Sequence, residues 1–339
     1  MSLQNLWALV TALTIGATSA TLVQAQESFY KGKQLQMFVG FAAGGPNDIW
    51  TRIVGRGMVR HLAGNPTLVV QQMPGAGSLR LTNYLANVAP RDGTQIGLIA
   101  RGIPFEPLFG GQGVQFDPRT LAYIGSPATE TTVCAVRSDL NYVSIDDFYQ
   151  RETIVGTGGG GSETNLAPLM LKNVFGMKFK IIAGFGSGGT DVALAIERKE
   201  LDGICISYTT LSNLSLYKNG GIREQLVLSE APLGPLKTVP NIHDREMSDR
   251  QRKILRVTFA REVLGRPIIG PPGLPTERLE ALRTAFDAAM KDDGVIAEAR
   301  QANFDMTPTA GHNLQKHVEE IYATTPPDVA AEVAKAVGN

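Results

Sequence analysis

The chemistry in this chain is carried by its glycines. Four short segments gather Gly with small or polar residues, at 40–48, 75–78, 156–162 and 184–191. Each follows a short apolar run of strand type and precedes apolar residues at helical spacing, so each reads as a strand-to-helix turn. In an α/β sheet such turns lie at the carboxyl ends of the parallel strands, where ligands bind. A helix that begins there offers unpaired N–H groups and the positive end of its dipole. Backbone without Cβ atoms also lets an anion come close. The pattern therefore suits capture of a carboxylate or phosphate by N–H and O–H donors. Arg101, directly after the third strand, adds a guanidinium that could grip a carboxylate in bidentate fashion; a salt bridge at the rim is the alternative.

Other chemistries find less support. Gly184, Gly186 and Gly189 match the spacing of a dinucleotide fingerprint, with Asp202 placed where a ribose-binding acid would be expected. Gly156, Gly158 and Gly161 match as well, because that segment is nearly all glycine, so the pattern carries little weight. No lysine follows a glycine loop in the manner of a nucleotide-binding loop. No nucleophile elbow occurs: Ser187 has Phe185 two places before it, and Ser162 has Thr164 two places after. His61, His243, His312 and His317 are scattered without a metal-binding frame. No residue stands out as nucleophile or base. The expectation is a binding protein with no cofactor and no metal, not an enzyme; an exported enzyme on an α/β scaffold is the competing class.

The elements that would hold these turns can be read along the chain. Strands are expected at 36–39, 68–70 and 96–99, then in a second set at 133–136, 153–155, 179–182 and 203–207. The first helix carries Ile49, Ile53, Met58 and Leu62 at helical spacing, with Asn47 or Asp48 as its N-cap. Arg52, Arg56 and Arg60 line one face of that helix, read as a solvated face, with docking to a membrane partner as the alternative. The repeated strand–turn–helix order predicts an α/β protein of two lobes, each a mostly parallel sheet flanked by helices, with a cleft between them.

Composition agrees. The chain has 339 residues, 43% hydrophobic, enough for a packed core in two lobes. Its 32 basic residues balance 32 acidic ones, which leaves no charge excess for a nucleic-acid partner. The first charged side chain is Glu27, and 6–20 is apolar, so the opening reads as a secretory signal cut after Ala25. That segment lacks a Lys or Arg at its start, which makes an uncleaved anchor the rival, but its Thr and Ser residues weaken a span. Cys134 and Cys205 either pair in an oxidising compartment or remain two buried thiols on strands.

Read together, several segments resemble a known family. They are 38–48 (Phe-Val-Gly-Phe-Ala-Ala-Gly-Gly-Pro-Asn-Asp), 73–77 (Met-Pro-Gly-Ala-Gly), 89–93 (Ala-Pro-Arg-Asp-Gly), 195–203 and 266–275. They are similar to the periplasmic solute receptors of tripartite tricarboxylate transporters, the Bug-type receptors, over the chain from about Tyr30 onward. The resemblance implies a two-lobed periplasmic binding protein that closes on a small organic carboxylate and passes it to a membrane permease. It places ligand contacts at Phe41, Ala43, Gly44, Gly45 and Asp48, with Gly75 and Ala76 beside them. From the second lobe it adds Gly161, Ser162, Gly186, Ser187, Gly188, Thr190 and Ser207. It implies a signal peptide at 1–25, a first lobe of 27–122 and 228–339, and a second lobe of 123–227. A monomer in the periplasm is expected, with permease subunits as partners; a ligand-sensing role is the variant reading. Asn165 stands where many relatives have His, Ser207 and Tyr208 where many have an acidic or amide residue, and Arg101 where a small residue is common. An added Arg favours a ligand with a second negative group.

Overall fold

Short strands, most of them buried along nearly their whole length, build two sheets in the computed structural model, which describes residues 29–158, 163–185, 189–230 and 232–337. In chain order the strands are β1 (Gln34–Val39), β2 (Thr67–Gln72), β3 (Gln95–Leu98), β4 (Ala122–Ser126), β5 (Thr132–Arg137), β6 (Thr153–Thr157), β7 (Phe179–Ala183), β8 (Gly203–Ser207), β9 (Ile222–Val227), β10 (Ile268–Gly270) and β11 (Thr309–Ala310). The first sheet runs β11-β4-β10-β3-β1-β2 and the second β7-β6-β8-β5-β9. The seven strands expected from sequence are all present; β4, β9, β10 and β11 were not anticipated.

The longer helices are α1 (Pro46–His61), α2 (Leu79–Asn87), α3 (Glu163–Phe175), α4 (Thr190–Glu197), α5 (Tyr208–Asn213), α6 (Asp249–Phe259), α7 (Thr276–Ala289), α8 (Asp293–Gln301), α9 (Gly311–Thr324) and α10 (Pro327–Val337). Period-two alternation splits β1 between two cores. Leu35 and Met37 pack with Trp50, Ile53 and Met58 of α1 and Phe286 of α7. Phe38 points the other way, into the core with Leu81 and Leu85 of α2. The Arg face of α1 meets α8: Arg56 pairs with Glu298 and Arg60 with Asp292, while Arg52 pairs with Asp48. The stripe is a seam between helices as much as a solvated face.

Both sheets are mixed, where mostly parallel ones were expected. β2, β1 and β3 are parallel, as are β7, β6 and β8, but β10 runs against β3 and β4, and β5 runs against β8 and β9. Two of the antiparallel strands, β5 and β10, are those met where the chain changes sheets, and β11, which runs against β4, closes the edge of the first sheet. A strand entered from the other sheet is not part of a strand–helix–strand unit within its own sheet and so is free to reverse. The chain leaves the first sheet after Ser126 and enters the second at Thr132. It leaves the second after Val227 and re-enters the first at Ile268. β4, on which the expected lobe boundary at 122/123 falls, thus pairs wholly within the first sheet. The last helix, α10, packs on α3 and α6, and Asn173 Nδ2 donates to the Ala336 carbonyl at 2.7 Å.

Cys134 of β5 stands directly opposite Cys205 of β8, and the two form a disulfide with Cα atoms 4.0 Å apart. The pairing left open by the sequence is therefore settled in favour of a bridge.

Candidate functional site

Three turns of the first sheet are fastened to one another at the carboxyl ends of β1, β2 and β3. Gly40, just past β1, donates its N–H to the Leu98 carbonyl at 3.0 Å. Any Cβ at Gly40 would lie 2.1 Å from the Ser78 Cβ, so only glycine permits the two turns to touch. Ser78 is fully buried, and its Oγ accepts the Ala100 N–H at 2.7 Å. One small residue thus touches the turns after β1 and β3 from the turn after β2.

The turn after β2 has an unusual backbone. Gly75, Ala76, Gly77 and Ser78 follow one another at φ values of 148°, 45°, 60° and 76°. Two of these four are not glycine, and such left-handed residues cost energy and gather at functional sites. Gly75, Ala76 and Gly77 are exposed. They are presented to solvent by a turn whose base is locked at Ser78.

The turn after β1 leads into α1 with Gly45 as N-cap and Pro46 in the first helical position, where a missing N–H costs nothing. The cap is not Asn47 or Asp48, the residues expected from sequence. Asp48 sits inside the first turn, buried, and serves the loop. Its Oδ2 accepts from Gly44 N at 3.0 Å and from Arg52 Nε at 3.1 Å, and its Oδ1 accepts from Gln72 Nε2 at 2.9 Å. Burial works against the charge, but Arg52, Gly44 and Gln72 outweigh it and hold the carboxyl below its ordinary range. Asp48 is therefore ionised, neutralised and saturated. It shapes the loop in which Ala43 and Gly44 are exposed, Gly45 is half-buried and Phe41 leans on the first core.

Arg101 is buried rather than standing at a rim, and its positive charge favours the ionised form of Glu262. Glu262 lies in the short helix Arg261–Leu264, and its Oε1 accepts the N–H of Thr132, the first residue of β5, at 2.7 Å. Burial raises the Glu262 pKa to about 7, against the opposing pull of Thr132 and Arg101. Nearby, Arg266 donates its N–H to Ser126 Oγ at 2.9 Å and its Nη2 to Glu130 Oε1 at 2.6 Å, and its Nη1 bonds Asn47 Oδ1. Arg266 thereby ties the start of α1 to the crossover that leaves β4. Neither Glu262 nor Arg266 was read as a site residue, although Arg266 opens the segment 266–275: their partners are distant in the chain.

In the second sheet the described residues give the frame of the site. Thr157 ends β6, its hydroxyl donates to Asn165 Oδ1 at 3.3 Å, and Gly158 N donates to Thr164 Oγ1 at 3.0 Å. Phe185 N donates to the Thr157 carbonyl at 3.1 Å, joining the turns after β6 and β7. Thr190 is exposed at the start of α4, with Gly189 as N-cap. Ser207, at the end of β8, is buried and shares a hydrogen bond of 2.8 Å with Thr210. Gly161, Ser162, Gly186, Ser187 and Gly188 lie outside the described residues, as does the segment 1–25.

The dinucleotide reading meets a geometric obstacle. Asp202 lies at the amino end of β6, where its Oδ2 accepts the Ile154 N–H at 2.8 Å, opposite the end that carries the glycine turns. Among the described residues no cluster of His, Cys, Asp and Glu could hold a metal ion, and no helix is long and apolar enough to cross a membrane.

Comparison with known proteins places this geometry. No protein-family model matches the chain. A UPF0065 protein in the TAR-I ttuE-ttuC' intergenic region of Agrobacterium vitis is 25% identical over 297 residues, covering 85% of this chain and 80% of that one. A TctC solute binding protein from Polaromonas superposes with a TM-score of 0.68 at 19% identity, over 89% of this chain and 99% of that one. MatC from Rhodopseudomonas palustris, solved with bound malate, gives 0.64 at 16% identity, over 88% and 99%. The resemblance carried by the sequence motifs is borne out by these likenesses. The chain has the two-lobed fold of tricarboxylate-type periplasmic binding proteins.

Proposed function

We propose that this protein is a receptor that binds a small organic carboxylate between its two lobes and hands it to a membrane permease. The observation that supports this reading best is the fastened platform of 40–48 and 75–78. It presents exposed backbone amides, and its one carboxylate, Asp48, is already saturated by three donors. A site rich in N–H groups and poor in free negative charge selects an anion. The turns after β6, β7 and β8, including 161–162, 186–188, Thr190 and Ser207, supply the opposing contacts. The lobes follow the sheets, with crossovers at 127–131 and 228–267. A ligand that touches both lobes favours the closed form by its differential contacts.

Malate in the R. palustris protein supports a ligand with more than one carboxylate. Arg101, buried just beyond the end of β3, is the candidate contact for a second negative group of the ligand. The segment 1–25 acts as a cleaved signal, the receptor works in the periplasm as a monomer, and it has no catalytic activity. A panel of mono-, di- and tricarboxylates screened by thermal shift tests this. A saturable rise in Tm for at least one member, with the compound recovered unchanged, is the expected result. Turnover of that compound would overturn the receptor reading in favour of an enzyme.

A further inference from the structure

The outgoing crossover, 127–131, is held residue by residue, and its neighbours change at one step. The Pro127 carbonyl accepts the Thr307 N–H at 3.2 Å, and the Thr129 N–H donates to Thr307 Oγ1 at 2.8 Å, just before β11. The Ala128 carbonyl accepts from Ser126 Oγ, at the end of β4, at 2.9 Å. Gly265 passes so close that a Cβ there would lie 1.7 Å from the same carbonyl oxygen. The Glu130 N–H donates to the Glu262 carbonyl at 3.1 Å. From the next residue onward the second sheet takes over. The Thr131 carbonyl accepts the Tyr208 N–H at 2.8 Å, just past β8, and the Thr132 carbonyl accepts the Leu228 N–H at 3.0 Å, just past β9. Glu262 touches both sides of the step, since its Oε1 also accepts the Thr132 N–H at 2.7 Å. The chain thus passes from the first sheet's neighbours to the second's between Glu130 and Thr131. Hinges are a few loop or element-terminal residues of this kind.

One side chain joins the first-sheet side of this step to the anion platform. Arg266 and Glu130 are 7% and 2% exposed. Arg266 Nη2 donates to Glu130 Oε1 at 2.6 Å, its Nη1 donates to Asn47 Oδ1, and its backbone N–H donates to Ser126 Oγ at 2.9 Å. Asn47 stands beside Asp48 in the first turn of α1, and Asp48 Oδ2 accepts the Gly44 N–H at 3.0 Å. A run of hydrogen bonds and adjacent residues therefore leads from Gly44 to the last residue before the step. Burying an ion pair gains little stability, because desolvation offsets the attraction. A planar guanidinium does fix two acceptors at a set distance and angle, which an ammonium does not. Position is what this side chain contributes.

We propose that Arg266 is a positioning residue that fixes the platform of 40–48 to Glu130, so that a bend between Glu130 and Thr131 brings the turns of the second sheet onto the platform at a set angle. Arg266 acts through Asn47 and Glu130, not by contact with the ligand. The bend as a closing motion rests on the receptor reading; the link from Asn47 to the crossover does not.

Hydrogen exchange of the ligand-free protein, read by mass spectrometry, tests the link. Asn47→Ala removes the acceptor at the platform end and leaves Arg266 on Glu130. Exchange of the Thr129, Glu130 and Thr132 amides should then quicken roughly fivefold, with β8 unchanged. Arg266→Lys keeps a positive charge beside Glu130 without the fork, so exchange should quicken at both 44–48 and 129–132. Unchanged exchange at 129–132 in either variant, or equal acceleration throughout the chain, would overturn the proposal. Malate affinity should fall roughly fivefold in each variant and no further in the double variant, because both cut one link. Losses that multiply, or an unaltered affinity, would overturn it as well. Malate that fails to bind the unaltered protein would count against the receptor reading and leave the exchange result standing.

Discussion

Ser78 and Gly40 meet where the three turns of the first sheet converge, and both are sensitive to small changes. Ser78→Ala removes the acceptor of the Ala100 N–H, which should cost about 1–2 kcal/mol of stability and loosen the turn at 75–78. Gly40→Ala should cost more, because its Cβ meets the Ser78 Cβ at 2.1 Å and neither neighbour is a flexible chain end. Chemical denaturation and carboxylate titration of the two variants would check both effects, with affinity expected to fall in each. Glu262 carries a pH signature. Its folded pKa of about 7 exceeds the ordinary 4.5, so the folded state keeps a proton that the unfolded chain has released. That contribution is fully present below pH 4.5 and is lost as pH rises to about 7, a decline of about 3 kcal/mol. In Glu262→Gln, which retains an acceptor for the Thr132 N–H, this decline between pH 4.5 and 7 should vanish from the stability profile. The carboxyl of Asp48 behaves oppositely: its stabilising contribution is present in the neutral range and is lost as pH falls through its lowered pKa.

Most strands that run into glycine turns were legible in the sequence, and several without such a turn were not, including the wholly buried β4. β1, β3 and β8 are bounded by glycine turns and bury most of their residues. β9 reads Ile-Arg-Glu-Gln-Leu-Val, with polar residues at its centre, and β10 and β11 have only three and two residues, held by neighbours from elsewhere in the chain. Their existence is a tertiary fact. The cap of α1 shows a similar limit. Asp48 has the residue type of a cap, but Pro46 claims the first helical position and leaves Asp48 third in the helix, still within its first turn. The cross-strand disulfide was visible as a possibility only, because no spacing rule pairs β5 with β8. Replacing both Cys134 and Cys205 by Ala should lower stability by about 2–4 kcal/mol, since the bridge closes a long loop. Calorimetric melts of that variant would check the loss. Carboxylate binding should persist at temperatures where the variant is folded, since neither sulfur lies in the turns after β1 and β2.

Across the molecule, the sequence revealed the glycine turns but not what ties the two sheets together. Arg101 was read from its place after β3; the buried carboxyl of Glu262, whose charged form it favours, lies far along the chain and joins it only in the folded structure. Arg266 is hidden in the same way, joining Asn47 at the start of α1 to Glu130 in the crossover. The Arg266 contacts connect the anion platform to a segment about which the lobes would close. Loss of the Arg266 guanidinium, as in Arg266→Met, should therefore weaken carboxylate affinity without removing any residue of the platform. Small-angle X-ray scattering during titration with the carboxylate that gives the largest thermal shift would probe the receptor directly. The radius of gyration should fall saturably, in step with binding, as the lobes close. A bound carboxylate that leaves the scattering unchanged, or is consumed as the titration proceeds, would contradict a receptor that works by hinge closure.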